Sequence, residues 1–407
     1  SSNGLEKRPK LRFPGFDEPW KVFKAEELFQ NVTDKNHPDE TVLTIIQGKG
    51  TLPREQAGRN IHYDDASLSN YKKVEQGDFI IHLRSFEGGL EMANEAGIVS
   101  PAYTILRCKR PHSSLFYDAY FHTDEFINHN LSKSVEGIRD GRQISYEAFK
   151  WLGIPYCEPT EQEQISSLFS VLNERIAKQR NLVESLKKYK RGLSNSLFDR
   201  LSAGSESRLC IFGDMMTILQ NNTFSRDNLS VGGNGVRNIH YGDVLIKYGA
   251  VLDLHSENVP VINAEQDISK FSALSYLRNG DVVFADTAED YTVGKSTEII
   301  GAENIAALSG LHTIPCRPQD SFAPMYLGYY FNSDYFKKQL YPMIQGTKVS
   351  SISKSEIIKT KIIVPCLQEQ TRIASIMSAL DDRIDAAKHT TKDLIDLRSG
   401  LLQQLFI

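Results

Sequence analysis

The sequence is poor in cysteine and has no long apolar run, and each absence excludes a class of protein. Its five cysteines are odd in number and include no Cys-x-x-Cys pair: Cys108, Cys157, Cys210, Cys316 and Cys366. A disulfide framework or a zinc site is therefore not expected, and a reducing cytoplasm fits this cysteine usage. No stretch reaches the roughly 18 apolar residues of a membrane-spanning helix, so none is predicted. Residues 1–13 lack the apolar core of a signal peptide.

Motifs that would hold a nucleotide, a metal or a reactive group are also missing. The sequence contains no Walker phosphate loop, no Gly-x-Gly-x-x-Gly, no Asn/Asp-Pro-Pro-aromatic tetrad and no His-Glu-x-x-His. His62 and His240 lie in identical Asn-Ile-His-Tyr tetrapeptides, and we interpret both as structural. We therefore expect no catalytic residue, no metal and no cofactor in this chain.

Length and charge favour a multidomain protein that does not coat nucleic acid. A chain of 407 residues exceeds the size of one hydrophobic core, so two or more domains are expected. The formal net charge is −4, which excludes binding to nucleic acid through bulk charge. Specific binding through local basic patches stays open.

Two segments of the chain are copies of each other, because residues 161–198 and 369–406 align without a gap. Identical pairs run along the whole alignment: Glu161/Glu369, Gln162/Gln370, Ile165/Ile373, Leu172/Leu380, Arg175/Arg383, Ile176/Ile384, Leu186/Leu394, Gly192/Gly400, Leu193/Leu401, Leu197/Leu405 and Phe198/Phe406. Upstream, Gly77-Asp78-Phe79 resembles Gly280-Asp281-Val282, and Phe121-His-Thr-Asp124 resembles Phe331-Asn-Ser-Asp334. The chain is therefore one globular unit, one helix, a related unit and a second helix.

The repeated segments have the spacing of a coiled coil. Positions on one side of each helix, most of them apolar, recur in steps of three or four residues. They are 165, 168, 172, 176, 179, 182, 186, 189, 193 and 197, and 373, 376, 380, 384, 387, 390, 394, 397, 401 and 405. Two such helices separated by a globular unit most simply pair antiparallel, which would create a pseudo-twofold axis. The alternative is that they are core helices of two separate domains.

Outside the helices, short apolar runs separated by turn residues favour strands. The runs are 42–47, 78–83, 102–108, 243–249 and 281–286, with helices expected near 117–131 and 324–340. We therefore predict an α+β protein of four parts. These are a strand-rich domain at 13–160, a spacer helix at 161–200, a second strand-rich domain at 206–368 and a second spacer helix at 369–407.

Polar loops in both domains have the composition of a DNA-reading surface, since Arg and Lys suit guanine and phosphate, and Asn and Gln suit adenine. The loops are 47–60, 83–89 and 136–145, then 230–238, 291–297 and 345–353. The candidate contacts are Lys49, Arg54, Arg59, Arg84, Arg139, Arg142, Gln143, Asn234, Arg237, Lys295, Lys348, Ser350 and Ser351. Gly137-Ile-Arg139 and Gly346-Thr-Lys348 lie at matching places of the repeat, which favours a shared role.

The layout resembles the specificity subunit of type I restriction-modification systems over essentially residues 15–407. Its most specific parts are the opening FPGFDEPWKVFKAEEL (13–28) and the two helices with their Glu-Gln…Arg-Ile…Leu-Phe pattern. The resemblance implies a non-catalytic subunit with two target-recognition domains that read a split sequence in double-stranded DNA. It implies two methyltransferase subunits and the restriction subunits as partners, and these would hold S-adenosylmethionine, Mg²⁺ and ATP.

The second domain departs from this pattern, because its start at 208–216 lacks the Trp20-Lys21 pair of the first. Two other classes stay open from the residues alone. One is a duplicated enzyme with an unrecognised active site, and the other is an adaptor that binds no DNA and uses the coiled coil as a strut.

Overall fold

A computed structural model describes residues 6–7, 9–57, 65–137, 142–204, 207–255, 259–290, 292–346 and 349–406. It divides into two compact units, residues 1–180 with 389–407 and residues 181–388. Each unit contains one strand-rich domain, the first half of the helix that follows it and the last part of the other helix. None of the helices in the described ranges combines the length and the apolar composition that a membrane crossing requires.

The first domain consists of small antiparallel sheets packed against short helices. Its strands are β1 (Glu6–Lys7), β2 (Trp20–Lys24), β3 (Phe29–Val32), β4 (Leu43–Ile46), β5 (Gly50–Pro53), β6 (Lys72–Val74), β7 (Phe79–Ile81), β8 (Glu91–Met92), β9 (Gly97–Val99), β10 (Thr104–Cys108), β11 (Val135–Glu136), β12 (Gln143–Ile144) and β13 (Gly153–Tyr156). Its helices are α1 (Ala25–Leu28), α2 (Ser85–Gly88), α3 (Ser114–Phe121) and α4 (Tyr146–Phe149), with 3₁₀ turns at Arg54–Ala57, Asp65–Asn70 and Leu131–Ser134 and a π-helical turn at Glu125–Asn130. The sheets have the orders β3-β10-β7-β8, β1-β2-β13, β4-β5, β6-β9 and β11-β12.

Aromatic side chains fill the core of the first unit. Phe79 of β7 and Phe121 of α3 pack edge to face with ring centroids 5.0 Å apart. Phe406, close to the chain end, packs with its centroid 5.1 Å from that of Phe116 and 5.9 Å from that of Trp20. The ends of the long helices therefore belong to the domain core, where such rings bury large apolar areas.

The second domain has the same central sheet with further strands added. Its strands are β14 (Arg208–Ile211), β15 (Met216–Ile218), β16 (Leu229–Ser230), β17 (Arg237–Ile239), β18 (Val251–Asp253), β19 (Val261–Ile262), β20 (Val282–Ala285), β21 (Thr287–Ala288), β22 (Ser296–Ile300), β23 (Ala307–Ser309), β24 (Thr313–Pro318), β25 (Ser350–Ser351) and β26 (Lys361–Val364). Numbered after the long helix α5 (Pro159–Ala203), its helices are α6 (Phe212–Met215), α7 (Tyr241–Ile246), α8 (Tyr326–Phe331), α9 (Asp334–Leu340) and α10 (Lys354–Ile357), with 3₁₀ turns at Arg226–Asn228 and Tyr341–Met343. The sheets have the orders β15-β24-β20-β22-β18, β16-β19-β17-β23, β14-β26 and β21-β25.

One predicted strand is wrong, because the run 243–249 forms most of helix α7 and the turn after it. His240 caps this helix, since its Nδ1 accepts a hydrogen bond from Gly242 N–H (3.2 Å). Asp243 pairs with Lys247 one turn later (2.9 Å), and Val244 and Tyr248 bury their side chains at the same helical spacing. A strand was predicted because the run is apolar, and the spacing of four residues within these two pairs was not considered.

The weak upstream repeat corresponds to two equivalent ion pairs, each between a partly exposed arginine and a buried aspartate. Arg107 donates from Nε and Nη2 to both oxygens of Asp78 (2.8 and 2.7 Å). Arg317 donates in the same way to Asp281 (2.9 and 2.6 Å). Gly77 and Gly280, which precede the two aspartates, have φ values of 91° and 84° that favour glycine. The matching residues therefore fix the same turn at the start of β7 and of β20.

Each long helix is attached to its own domain by a glutamine in its first turns. Gln162 of α5 accepts from Ser113 N–H (3.0 Å) and donates to Cys157 C=O (2.8 Å). Gln370 of α11 (Leu367–Phe406) does the same with Ala323 N–H (2.9 Å) and Pro365 C=O (2.9 Å). The Glu-Gln signature of the repeat therefore serves as a docking point for the helix.

The coiled-coil period is confirmed, but its stripe is shifted by one residue over parts of both helices. In α5, Val183 is buried and Lys190 half-buried, whereas the predicted positions Leu182 and Tyr189 are exposed. In α11, Met377 is buried. Within the second unit the helices run antiparallel, because Lys190 pairs with Asp381 (2.5 Å) and Arg200 with Glu369 (3.3 Å). A cation thus occupies a seam position that the apolar pattern assigned to Tyr189.

Candidate nucleic-acid interface

The three candidate loops of the first domain lie side by side. The Nε2 atom of Gln47 lies so close to Gly88 that a Cβ added there would meet it at 2.0 Å. The guanidinium of Arg142 lies 4.3 Å from the centroid of the Phe86 ring, a stacked cation–π geometry. The described parts of these loops, residues 47–57, 83–89, 136–137 and 142–145, are therefore brought into one surface by these contacts, which we call the first-domain rim.

The tip of the β4–β5 hairpin, residues 47–49, is an exposed part of this rim. Lys49 N–H donates to Ile46 C=O (2.9 Å), so the turn is closed by its own backbone. The side chain of Lys49 is exposed, as a phosphate-binding lysine must be. Arg54 lies beyond β5, where its N–H donates to Val42 C=O (2.9 Å) and its side chain is half-buried.

Arg84 and Arg142 differ in how they are held. Arg84 precedes α2 and pairs with the exposed carboxylate of Glu87 (2.5 Å), while its own side chain is 68% exposed. Arg142 is exposed and fixed by the Phe86 ring, with Gln143 exposed beside it on β12. Gly137 begins the hairpin loop between β11 and β12 with a φ of 87°. Arg59 and Arg139, and the first Asn-Ile-His-Tyr with His62, lie outside the described residues.

The second domain has the equivalent hairpin. Gln345 and Ser351 exchange backbone hydrogen bonds (3.0 and 2.8 Å), and Gly346 follows with a φ of 103°. Ser350 and Ser351 pair across to Ala288 and Thr287 of β21, and both are half-buried. Lys348 lies outside the described residues. The match between Gly137 and Gly346 seen in sequence is therefore a match of conformation as well.

Other candidates of the second domain face their own backbone. Arg237 Nη1 donates to Val259 C=O (2.8 Å), and Lys295 Nζ donates to Leu245 C=O (2.8 Å). Burial, followed by the charge of Lys337, lowers the pKa of Lys295. Asn234 is exposed in the glycine-rich turn between β16 and β17. No three His, Cys, Asp or Glu side chains of the described part are placed to share a metal ion.

Comparisons with known proteins give one family match and three similar folds. Residues 213–396 match the family model described as the type I restriction modification DNA specificity domain. The matched residues lie in the second domain and in α11. The fold of the chain along its whole length is similar to three solved structures. They are the HsdS subunit from Thermoanaerobacter tengcongensis (20% identity, TM-score 0.50, 98% of each chain covered), a chain of a type I R-M system studied for complex assembly and conformational transition (18%, 0.57, 97% of this chain and 98% of that one), and the type I S subunit from M. genitalium (15%, 0.54, 98% and 99%).

A second-domain cluster beside β21 was not predicted from the sequence. His312, with a φ of 53°, lies between β23 and β24, and its Nδ1 is 3.4 Å from Asp286 Oδ1 and 3.5 Å from Thr287 Oγ1. The ring of Tyr241 packs edge-on against His312 at 5.3 Å. Tyr241 belongs to the second Asn-Ile-His-Tyr, whose repetition was the available signal, but only its histidine was considered.

Proposed function

We propose that this chain is the specificity subunit of a type I restriction-modification system and reads a bipartite sequence in double-stranded DNA, with one half-site for each of two target-recognition domains. The observation that carries the proposal is that two domains with the same buried scaffold have different exposed rims. The paired contacts Arg107–Asp78 and Arg317–Asp281 keep the scaffold constant. The rims, which differ in side chains, are where sequence can be read by hydrogen bonds to base edges.

In the first domain the rim offers both kinds of DNA contact. Lys49 suits a phosphate, whereas Arg142 presents a planar guanidinium, held against Phe86, that can meet guanine O6 and N7. Gln143 and Gln47 suit adenine. In the second domain the equivalent contacts are Lys348, Ser350 and Ser351. Arg237 and Lys295 donate to the domain's own backbone, so these contacts would have to break before either side chain could meet DNA. Asn234 is exposed and stays a predicted DNA contact.

The chain is further proposed to be the non-catalytic part of its complex, placed in the cytoplasm. Its long helices would space the two readers, at 13–160 and 206–368, and dock two methyltransferase subunits. S-adenosylmethionine, Mg²⁺ and ATP would then belong to the methyltransferase and restriction subunits. The support is the match of residues 213–396 to the type I DNA specificity domain, together with the missing nucleotide and methyltransferase motifs.

The test is selection from a random duplex library with the chain co-purified with its methyltransferase partner. Two short preferred sequences separated by an unread gap of fixed length are expected. A single uninterrupted site, selection of no sequence, or methyl transfer by the chain alone would contradict the proposal.

The spacer role has its own variant. Insertion of one heptad within 178–190 should keep both half-sequences and change the gap. A changed half-sequence with an unchanged gap would show that the helices do not set the spacing.

A further inference from the structure

The turn that carries Lys49 is held from inside the first domain by one buried carboxylate. Glu91, on β8, is fully buried, and its two oxygens accept hydrogen bonds from the N–H groups of Gly48 (2.6 Å) and Gly50 (2.9 Å). Both glycines have positive φ, 73° and 75°, which other residues adopt only with strain. The orientation of the turn therefore depends on Glu91.

The charge on Glu91 is compensated within the domain. Burial acts to raise the pKa of Glu91, but hydrogen bonds from His122, Gly48 and Gly50 outweigh it and bring the pKa below its usual value. His122 Nε2 lies 3.4 Å from Glu91, and its Nδ1 lies 3.6 Å from Asp118. A buried carboxylate without such partners would be strongly destabilising. Glu91 is thus an ionised, fixed acceptor beneath an exposed turn.

A second side chain holds the same turn from outside. Asn94 is exposed, and its Nδ2 donates to the carbonyl groups of Lys49 (2.8 Å) and Thr51 (2.9 Å). Among the described residues of the second domain, no carboxylate stands at the matching position. Glu91 lies opposite Ile80 in its sheet, and the residue at the matching register, opposite Val283, is Thr297. Among the described residues, a turn held by hydrogen bonds from both sides is therefore a feature of the first-domain rim.

We infer that Glu91 is a positioning residue for the first half-site, because it presents Gln47, Gly48 and Lys49 to DNA in a single conformation. The inference rests on the proposed DNA-reading role of this rim. Base preference in one half of the target would then depend on a carboxylate that never touches DNA. Its partner in this role is Asn94, which acts on the carbonyl side of the turn.

The main test is the Glu91→Gln variant of the complex with the methyltransferase partner. It replaces one acceptor by an amide N–H that faces a glycine N–H. We expect faster hydrogen exchange at Gly48 to Gly50 and a roughly tenfold loss of base discrimination in the first half-site, with the second half-site unchanged. Asn94→Ala, at an exposed position that cannot unfold the core, should have the same effect at smaller size. Thr297→Val is the matched control at the same register of the second domain and should leave the first half-site unchanged.

Direct variants separate this inference from the function on which it rests. If Lys49→Ala and Gln47→Ala lower first-half discrimination while Glu91→Gln and Asn94→Ala retain it, the positioning role is wrong and the reading role stands. If Lys49→Ala and Gln47→Ala also have no effect, the turn does not read DNA. Neither the reading role of the turn nor the positioning role of Glu91 then stands. A Glu91→Gln variant that does not fold leaves the decision to Asn94→Ala.

Discussion

In the first domain Arg107 donates two hydrogen bonds to Asp78, and in the second domain Arg317 donates two hydrogen bonds to Asp281 with the same geometry. Thr123 and Ser333 likewise accept from the N–H groups of Phe126 and Phe336 (3.1 and 3.2 Å). The rims differ, since Glu91 locks a hairpin turn in the first domain and Thr297 stands at that register in the second. Polar contacts that shape the scaffold are therefore duplicated, whereas those that shape the exposed surface are particular to each domain.

The start of each long helix repeats this contrast at one glutamate. Glu161 is buried and accepts from Arg12 (2.9 Å at each oxygen) and from Trp20 Nε1 (3.0 Å). Glu369 is 23% exposed and pairs with Arg372 and Arg200 (2.6 and 3.3 Å). The second domain starts without the Trp-Lys pair, and the glutamate is paired instead with one arginine of each long helix, Arg200 of α5 and Arg372 of α11. One residue of the repeat thus has two different environments.

The largest expected effect comes from breaking the duplicated ion pairs. Arg317→Met would leave the buried Asp281 without its partner, and we expect a loss of roughly 3 kcal/mol in unfolding free energy of the second domain. Arg107→Met should cost less, about 2 kcal/mol, because Arg107 is 30% exposed. Denaturant unfolding of the complex measures both. Arg84→Met, which removes an exposed pair with Glu87, is the control and should cost less than about 0.5 kcal/mol. Equal costs for all three variants would contradict the scaffold role.

Glu298 should give the second domain a pH dependence of stability that has no counterpart at the matching position of the first domain. Burial raises the pKa of Glu298 to about 7, although hydrogen bonds from Gly328 and Met325 N–H act to lower it. Met92 lies at the matching register of the first domain. The folded state retains the Glu298 proton at pH values where the unfolded state has released it. The free energy of unfolding is therefore highest at low pH and falls as the pH rises towards 7. At about 1.4 kcal/mol per pKa unit, the loss is roughly 3 kcal/mol.

The measurement is denaturant unfolding of the second domain between pH 5 and about 7.5. Glu298→Gln should be less sensitive to pH over this range than the native chain, while Met92→Leu leaves the pH dependence as it is. An unchanged slope in Glu298→Gln would show that Glu298 titrates normally.

Substitution of the more buried helix glutamate, Glu161, should lower the free energy of unfolding more than substitution of Glu369. Glu161→Gln leaves Arg12 and Trp20 with one acceptor oxygen between them, and should cost about 2 kcal/mol. Glu369→Gln affects a partly exposed site and should cost less than about 1 kcal/mol. Thermal unfolding of both variants compares them directly. A larger cost at Glu369 would reverse the assignment of the buried site.

Much of the scaffold could be predicted from the sequence, because a repeat reports contacts that both copies need. Asp78 and Asp281, and the helix glutamines Gln162 and Gln370, were found this way. The spacing of apolar residues gave a wrong prediction where a short apolar run was compatible with both a strand and a helix. In 243–249 the run was predicted as a strand, but capping by His240 favours a helix. The shift from Tyr189 to Lys190 in the seam was missed because an ion pair replaces an apolar contact.

The first rim could not be predicted as a surface, although its loops were each found by composition. Gln47 meets Gly88, and Phe86 meets Arg142, across 41 and 56 residues of chain respectively. No local pattern encodes such pairs, since they follow from how β4, β5, α2 and β12 pack. Glu91 was overlooked for the same reason, because it is one polar residue in an otherwise buried segment.

The central claim, that each domain reads one half of the target, is tested most directly by competition binding of the assembled complex. Arg142→Ala and Lys348→Ala would each be assayed against single-base variants of both half-sites at two salt concentrations. Arg142→Ala should weaken one half-site only, by roughly 1–3 kcal/mol, if its guanidinium meets a guanine. Lys348→Ala should affect the other half-site, or lower affinity for all sequences and flatten the salt dependence if it meets phosphate. Native affinity and base preference in both variants, or loss at the same half-site in both, would contradict the account.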